Sequence, residues 1–295
     1  MPQSIAFLGL GIMGLPMAGH LLQKSGGKLT VYNRTKVKAG ALAKQGATVA
    51  DSPAAAAKGA DVIFVCVSDT PDVEAMIFGE NGLASTAKPG SVVVDHSTIS
   101  PMATKSFAQR LAAKSIALID APVSGGDTGA KNGTLSIMCG GDKSAFDRVL
   151  PLLQCYGKTI THCGDSGQGQ ATKLVNQVLV LGTLLSVCEA MTLVKKSGLD
   201  PQTTLAAVGA GAAASWQLQN LGPKIAAGDF APGFRCDLAA KDLRLVLEFV
   251  DQQELALPGI ALVRQLYNAV ISNGGAGDGT QAMFKALAML NGWGG

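Results

Sequence analysis

Residues 167–198 constrain this chain more than any other stretch. Gly-Gln-Gly-Gln-Ala-Thr-Lys-Leu-Val-Asn-Gln opens it, and a mostly apolar run follows through Val178, Leu181, Leu184, Leu185, Val187, Met191 and Val194. The pattern predicts one helix of about 30 residues. At about 1.5 Å per residue it spans on the order of 45 Å, longer than a small domain is wide, so it belongs to two domains. Its glycine-rich start offers free backbone N–H groups. Lys195, Lys196 and Gly198 mark its stop, and Asp200-Pro201 opens another helix. Lys173, Asn176 and Gln177 stand at i, i+3 and i+4, on one face. A lysine just inside a helix start opposes the dipole by a few tenths of a kcal/mol, a conflict that points to use. The plainer alternative is a solvated lysine whose stem covers apolar surface.

The chain before this helix alternates strands and helices. Residues 4–9 form an apolar strand running into Gly9-Leu10-Gly11-Ile12-Met13-Gly14, with Pro16, Ala18, Leu21 and Leu22 at helical spacing behind. In such a strand–turn–helix, Gly9 makes the tight turn, Gly11 admits a pyrophosphate to the backbone, and Gly14 lets the helix pack on the strand. This predicts a dinucleotide site. The next strand, 28–32, ends in Asn33-Arg34-Thr35-Lys36-Val37-Lys38, where an NAD site carries an acid for the ribose hydroxyls. With no acid and several cations, Asn33, Arg34 and Thr35 suit a 2′-phosphate and hence NADP(H). The alternative is a solvated helix start.

The alternation continues with a helix to 44, strand 48–49, helix 53–57, strand 61–67, and Ser68-Asp69-Thr70-Pro71 opening a helix. Strand 91–95, helix 102–113, strand 116–119, strand 135–139, helix 144–153 and strand 159–162 follow. Ligands of open α/β sheets bind outside the carboxyl ends of the strands, so Val67 and Thr98 are candidates to line that crevice. Asp120-Ala121-Pro122-Val123-Ser124-Gly125-Gly126-Asp127-Thr128-Gly129-Ala130 reads as an anion cradle, its Ser and Gly residues offering a hydroxyl and N–H groups to a substrate carboxylate; the alternative is a flexible connector. Beyond the long helix, 201–208, 215–221, 238–251, 262–271 and 281–290 read as helices. Glycines 274, 275, 277 and 279 mark a loop, Lys241-Asp242 an ordinary charge pair, and 292–295 a frayed tail.

The 295 residues suit two domains, and 47% hydrophobic against 15% charged residues supply both cores. A net charge of +3 is too weak and dispersed for nucleic acid or a polybasic membrane contact. The longest apolar stretch, 178–188, is about half a membrane span, and 1–4 lack a signal peptide's positive region. Six unpaired-looking cysteines read as small buried hydrophobes, so a cytoplasmic protein is expected. Three scattered histidines give no metal site.

Taken together, Gly9-x-Gly11-x-Met13-Gly14, Asp120-x-Pro122-Val123-Ser124-Gly125-Gly126, Gly167-x-Gly169-x-x-x-Lys173-x-x-Asn176-Gln177 and Lys241-Asp242 resemble the β-hydroxyacid dehydrogenase family along essentially the whole chain. That group includes 3-hydroxyisobutyrate dehydrogenase, tartronate semialdehyde reductase and the glyoxylate/succinic semialdehyde reductases. The resemblance implies an α/β fold: an N-terminal Rossmann-type doubly wound, mostly parallel sheet (1–165), a long interdomain helix, and an all-α C-terminal domain (166–295), with the active site between them. It assigns Lys173 as the catalytic lysine and places Ser124, Gly125, Gly126, Asn176, Gln177 and Thr98 at the substrate. Thr98, Lys241 and Phe234 lie near the cofactor, with Val67 and the 9–14 and 33–35 loops. Many members carry Asn four residues after the lysine, whereas this chain has Gln177 there and Asn176 before it. The expected reaction is NADPH-dependent, reversible reduction of a small semialdehyde acid, with Lys173 protonating the alkoxide and burial plus the positive helix end lowering its pKa. The alternatives are a 3-hydroxyisobutyrate-type dehydrogenase working oxidatively, a 6-phosphogluconate-type decarboxylase, and an idle NADP-binding scaffold, against which Lys173 argues. The expected partner is a small carboxylate-bearing aldehyde or hydroxy acid, and the expected assembly a homodimer or homotetramer through the helical domain.

Overall fold

The computed structural model of the chain describes residues 3–293; Met1, Pro2 and the last two glycines of the expected frayed tail lie outside them. The chain divides into two compact units, Met1–Lys173 and Leu174–Gly295.

The first unit is a nine-stranded sheet: β1 Ser4–Leu8, β2 Lys28–Tyr32, β3 Thr48–Val49, β4 Val62–Val65, β5 Val92–Asp95, β6 Ala117–Asp120, β7 Val123–Ser124, β8 Leu135–Gly140 and β9 Gly157–Gly164. Strands β3-β2-β1-β4-β5-β6 run parallel in that order, the arrangement of dinucleotide-binding doubly wound sheets. β8 then joins β6 antiparallel, with β7 antiparallel and β9 parallel to it. Each inner strand is apolar on both faces because helices cover both. Ile5, Phe7, Val62, Phe64, Val92 and Val94 enter one core with helices Gly14–Lys24 and Lys143–Leu153. Their neighbours Ala6, Leu8, Ile63, Val65 and Val93 enter the other, with helices Pro53–Ala57, Thr70–Phe78 and Pro101–Ala112.

The stretch 120–130, read as a cradle or a connector, carries regular structure. It forms β7 and opens a helix, Gly126–Asn132, because Gly125 (φ 130°) and Gly126 (φ 62°) turn the chain where a side chain would strain it, and Gly133 ends the helix in the left-handed region.

His96, directly after β5, is a buried titrating group. His96 stacks on Phe64 (centroids 5.7 Å apart) and meets Tyr156 edge-on. Its Nδ1–H donates to the Ala121 carbonyl at 2.6 Å, which can only accept, so Nε2 takes the Tyr156 hydroxyl at 2.7 Å. Burial pushes its pKa from 6.5 down to about 4. The fold therefore resists protonation that the unfolded chain accepts: stability is intact above pH 6.5 and falls as pH drops toward 4. At about 1.4 kcal/mol per pH unit, His96 accounts for roughly 3 kcal/mol of that loss. Urea unfolding at pH 7 and pH 4 should show His96→Gln losing clearly less stability between the two than the unmodified protein; equal losses would contradict the assignment.

In the second unit, helices Pro201–Gly209, Trp216–Ala226, Cys236–Gln252, Pro258–Ser272 and Met283–Leu290 join the later turns of helix Gln168–Lys196. Its core is Leu181, Leu184, Val187, Cys188, Met191 and Val194 of that helix against Leu243, Val246, Val263, Tyr267 and Met283. By length and composition Gln168–Lys196 could cross a membrane, with a mean hydropathy of 1.8 in its most apolar window. Yet its first turns bury Gln170, Lys173 and Gln177, and its apolar side is packed into this core, which is the pattern of a central helix in a folded domain. Trp293 is tied rather than frayed: its N–H donates to Ala288 O at 2.9 Å, and Lys195 and Lys196 lie 5.1 and 5.6 Å from its ring. All six cysteines are free; Cys66 and Cys163 are only partly buried.

Candidate active site

The glycine turn after β1 separates internal needs from external ones. A Cβ on Gly9 would lie 2.1 Å from Cys66 O, and one on Gly14 2.0 Å from Gly9 O, so both positions are closed by the chain's own backbone. A Cβ on Gly11 would meet nothing, and Ile12 beside it is 62% exposed. Nothing in the fold itself demands a glycine at 11; an approaching ligand would. Helix Gly14–Lys24 starts there with no side-chain cap and no acid in its first turn, which suits a pyrophosphate. Asn33 holds the turn in place: its Oδ1 accepts the Leu10 N–H at 2.8 Å and its Nδ2 donates to Thr35 O at 3.0 Å. Asn33 is thus committed to the turn, while Arg34 and Thr35 beside it are exposed.

At the next two strand tips the Val67 N–H donates to Ser97 Oγ at 2.9 Å, and the Ser97 N–H to Asp95 Oδ1 at 2.9 Å, so the Val67 backbone is tied to the turn that carries Thr98. Gln170 clamps that turn on both sides of Thr98. Its Nε2 donates to Ser97 O at 2.7 Å and its Oε1 accepts the Ile99 N–H at 3.1 Å.

Asp120 at the end of β6 secures the start of helix Gln168–Lys196. Its Oδ1 accepts the Gly167 N–H and its Oδ2 the Gln170 N–H, each at 2.8 Å. Burial pushes its carboxyl up against these backbone donors, which hold it down. The N–H groups of Gly167 and Gln170, expected to be free, are thus capped by Asp120. Gly169 has no room for a Cβ, which would lie 2.5 Å from Met138 O, so the helix start packs directly on the sheet. Lys173, 7% exposed, follows Gln170 by three residues and shares its helix face. Ser124 sits on β7 paired with Ser136, with Gly125 and Gly126 turning immediately behind it.

In the second unit Asn176 Nδ2 donates to Gln177 Oε1 at 2.7 Å, and Gln177 Nε2 donates to Asp242 Oδ2 at 2.5 Å. Lys241 pairs with Asp242 at 2.7 Å, and both are largely buried, unlike an ordinary surface pair. Gln177 therefore orients Asn176. Phe234 stands apart from this chain of contacts, partly buried before helix Cys236–Gln252, its carbonyl accepting the Thr280 N–H at 2.8 Å.

Two family models match consecutive parts of the chain. Residues 4–164 match the NAD-binding domain of 6-phosphogluconate dehydrogenase, and residues 167–287 the NAD-binding domain of NADP-dependent 3-hydroxyisobutyrate dehydrogenase. The 2-hydroxy-3-oxopropionate reductase of Escherichia coli is 40% identical over 286 residues, covering 97% of each chain. The chain belongs to the β-hydroxyacid dehydrogenase family. Among solved structures, Mycobacterium tuberculosis 3-hydroxyisobutyrate dehydrogenase with L-serine is similar at a TM-score of 0.88 and 30% identity, covering 97% of this chain and 99% of that one. Psf3 in complex with NADP+ and 2-OPP gives 0.88 and 27%, covering 96% and 99%.

As a member of this family the protein is an NAD(P)-dependent oxidoreductase acting on the CH–OH group of hydroxy acids, with NADP(H) as cofactor, and the open space at Gly11 fits that ligand. Among the described residues no group of three or more His, Cys, Asp or Glu side chains is placed to hold a metal. A groove of about 880 Å³ lined by Lys105, Gln109, Asp142, Arg148 and Ser166 contains none of the candidate site residues. Sequence reasoning missed Gln170, the capping role of Asp120, and Asp242 as an anchor. Nothing local separates Gln170 from the exposed Gln168 in the same glycine-rich motif.

Proposed function

We propose that this enzyme reduces a small semialdehyde acid to its hydroxy acid with NADPH, reversibly, with Lys173 as the proton donor. The observation that carries the reading is an ammonium-bearing side chain only 7% exposed, on a helix start bolted to the sheet in the unit that holds the glycine turn and Ser124. When bound, NADPH supplies the hydride. Lys173 Nζ–H stabilises the charge growing on the carbonyl oxygen and passes its proton there, so that a C–H and an O–H bond form as the C=O π bond breaks and a neutral amine remains. In the oxidative direction that amine takes the hydroxyl proton. The Ser124 hydroxyl and the N–H groups of Gly125 and Gly126 hold the substrate carboxylate and orient the carbonyl. Asn176, oriented by Gln177, serves the substrate, and Lys241 and Phe234 serve the cofactor.

The names of the relatives support a small oxo or hydroxy acid as substrate. Tartronate semialdehyde, glyoxylate, succinic semialdehyde and methylmalonate semialdehyde are the class. Assembly into a homodimer or homotetramer through the helical unit belongs to the same reading, since Val175, Leu179, Leu193 and Leu262 leave apolar surface exposed there. So does a cytoplasmic location, where six free thiols stay reduced.

Ser124→Ala tests the cradle. A hydrogen bond to a carboxylate is worth about 1.5–3 kcal/mol, so KM for the aldehyde acid should rise roughly 10- to 150-fold while kcat changes little. An unmoved KM in steady-state kinetics would show that residues 124–126 are a connector.

A further inference from the structure

We propose that Gln170 is a positioning residue that fixes the Thr98 turn, and with it the reactive end of the dinucleotide site, in register with Lys173. The inference rests on the NADPH-dependent reading above. In the sheet order β2-β1-β4-β5, Arg34 follows β2 and the glycine turn follows β1. A dinucleotide laid across these tips with its 2′-phosphate at Arg34 and its pyrophosphate at the turn directs its far end to the tips of β4 and β5, where Val67 and Thr98 stand.

Gln170 is completely buried. Its carboxamide donates to the residue before Thr98 and accepts from the residue after it. Its own N–H is held by Asp120. Turn, helix start and β6 tip are thereby one hydrogen-bonded frame, and Lys173 is carried on the next turn of the same helix face. Only a carboxamide of this length matches a carbonyl and an N–H at once. Glutamate of equal length keeps the acceptor for the Ile99 N–H and, when ionised, loses the donor for Ser97 O. Methionine keeps the volume and loses both.

Gln170→Met and Gln170→Glu are tested with two probes, NADPH and 2′,5′-ADP, the second lacking the nicotinamide half. Because misplacement of about 1 Å away from the chemistry can cost about 10²-fold, kcat should fall roughly 10- to 100-fold in Gln170→Met and less in Gln170→Glu. In both variants the Kd for 2′,5′-ADP should stay within about twofold while that for NADPH weakens, since only the far end has lost its frame. The primary isotope effect with 4-deuterated NADPH should become larger as hydride transfer slows. Unchanged kcat and NADPH affinity in both variants would overturn the assignment. Parallel weakening of both probes with a lowered Tm and an unchanged isotope effect would overturn it too, leaving Gln170 a stabilising residue. Failure of the unmodified protein to bind either probe would instead remove the NADPH reading itself, and this assignment with it.

Discussion

Lys173→Ala is expected to lower kcat about 10²- to 10⁴-fold while leaving NADPH affinity within about twofold, the signature of a group felt only as the alkoxide forms. The side chain is buried on a helix start that contacts the sheet through Asp120 and Gln170, so truncation leaves the frame intact. Lys173→Arg keeps the charge but places a planar group that does not give up its proton, and it should recover little activity. Equal NADPH binding with near-normal turnover in Lys173→Ala would assign the proton to another donor and reduce Lys173 to a structural lysine.

Arg34→Ala should cost NADPH roughly 10- to 150-fold in kcat/KM, from about 1.5–3 kcal/mol of charged hydrogen bonding to the 2′-phosphate, and should leave NADH nearly untouched. The unmodified protein should prefer NADPH by a similar factor. Asn33→Asp provides the complementary change. Its carboxylate can still accept the Leu10 N–H that Asn33 accepts, while giving up the donor to Thr35 O, and its charge repels the 2′-phosphate and moves preference toward NADH. Equal use of both cofactors by the unmodified protein would make Arg34 a solvated residue before the short 3₁₀ turn Lys36–Ala39.

The parts of this fold legible in the chain are those set by local spacing. The strand–turn–helix around Gly9, Gly11 and Gly14, the alternation through β6 and the helix Gln168–Lys196 follow from periodicity and glycine placement, which need no knowledge of neighbours. What was hidden depends on partners far along the chain. Gln170 meets residues 71 and 73 positions away, and Asp120 caps a helix start 47 and 50 positions on. Nothing local distinguishes such a carboxylate from a turn residue. Residues 120–130 hid their regular structure for a related reason: so many small residues read as a cradle or a connector, yet two glycines with positive φ set a short strand against β8 and start a helix at once. Gln177 was legible as part of a site face and not as the link between Asn176 and Asp242, since that needs helix Cys236–Gln252 beside it.

The most direct test of the account is NADPH consumption by the unmodified protein with aldehyde acids set against uncharged counterparts: glyoxylate against glycolaldehyde, succinic semialdehyde against butanal, with tartronate and methylmalonate semialdehydes alongside. The account predicts turnover of at least one aldehyde acid with kcat/KM at least about tenfold above its uncharged counterpart, because the Ser124–Gly126 cradle acts on the carboxylate. Turnover of the uncharged aldehydes equal to that of the acids, or no NADPH consumption with any of them, would contradict it.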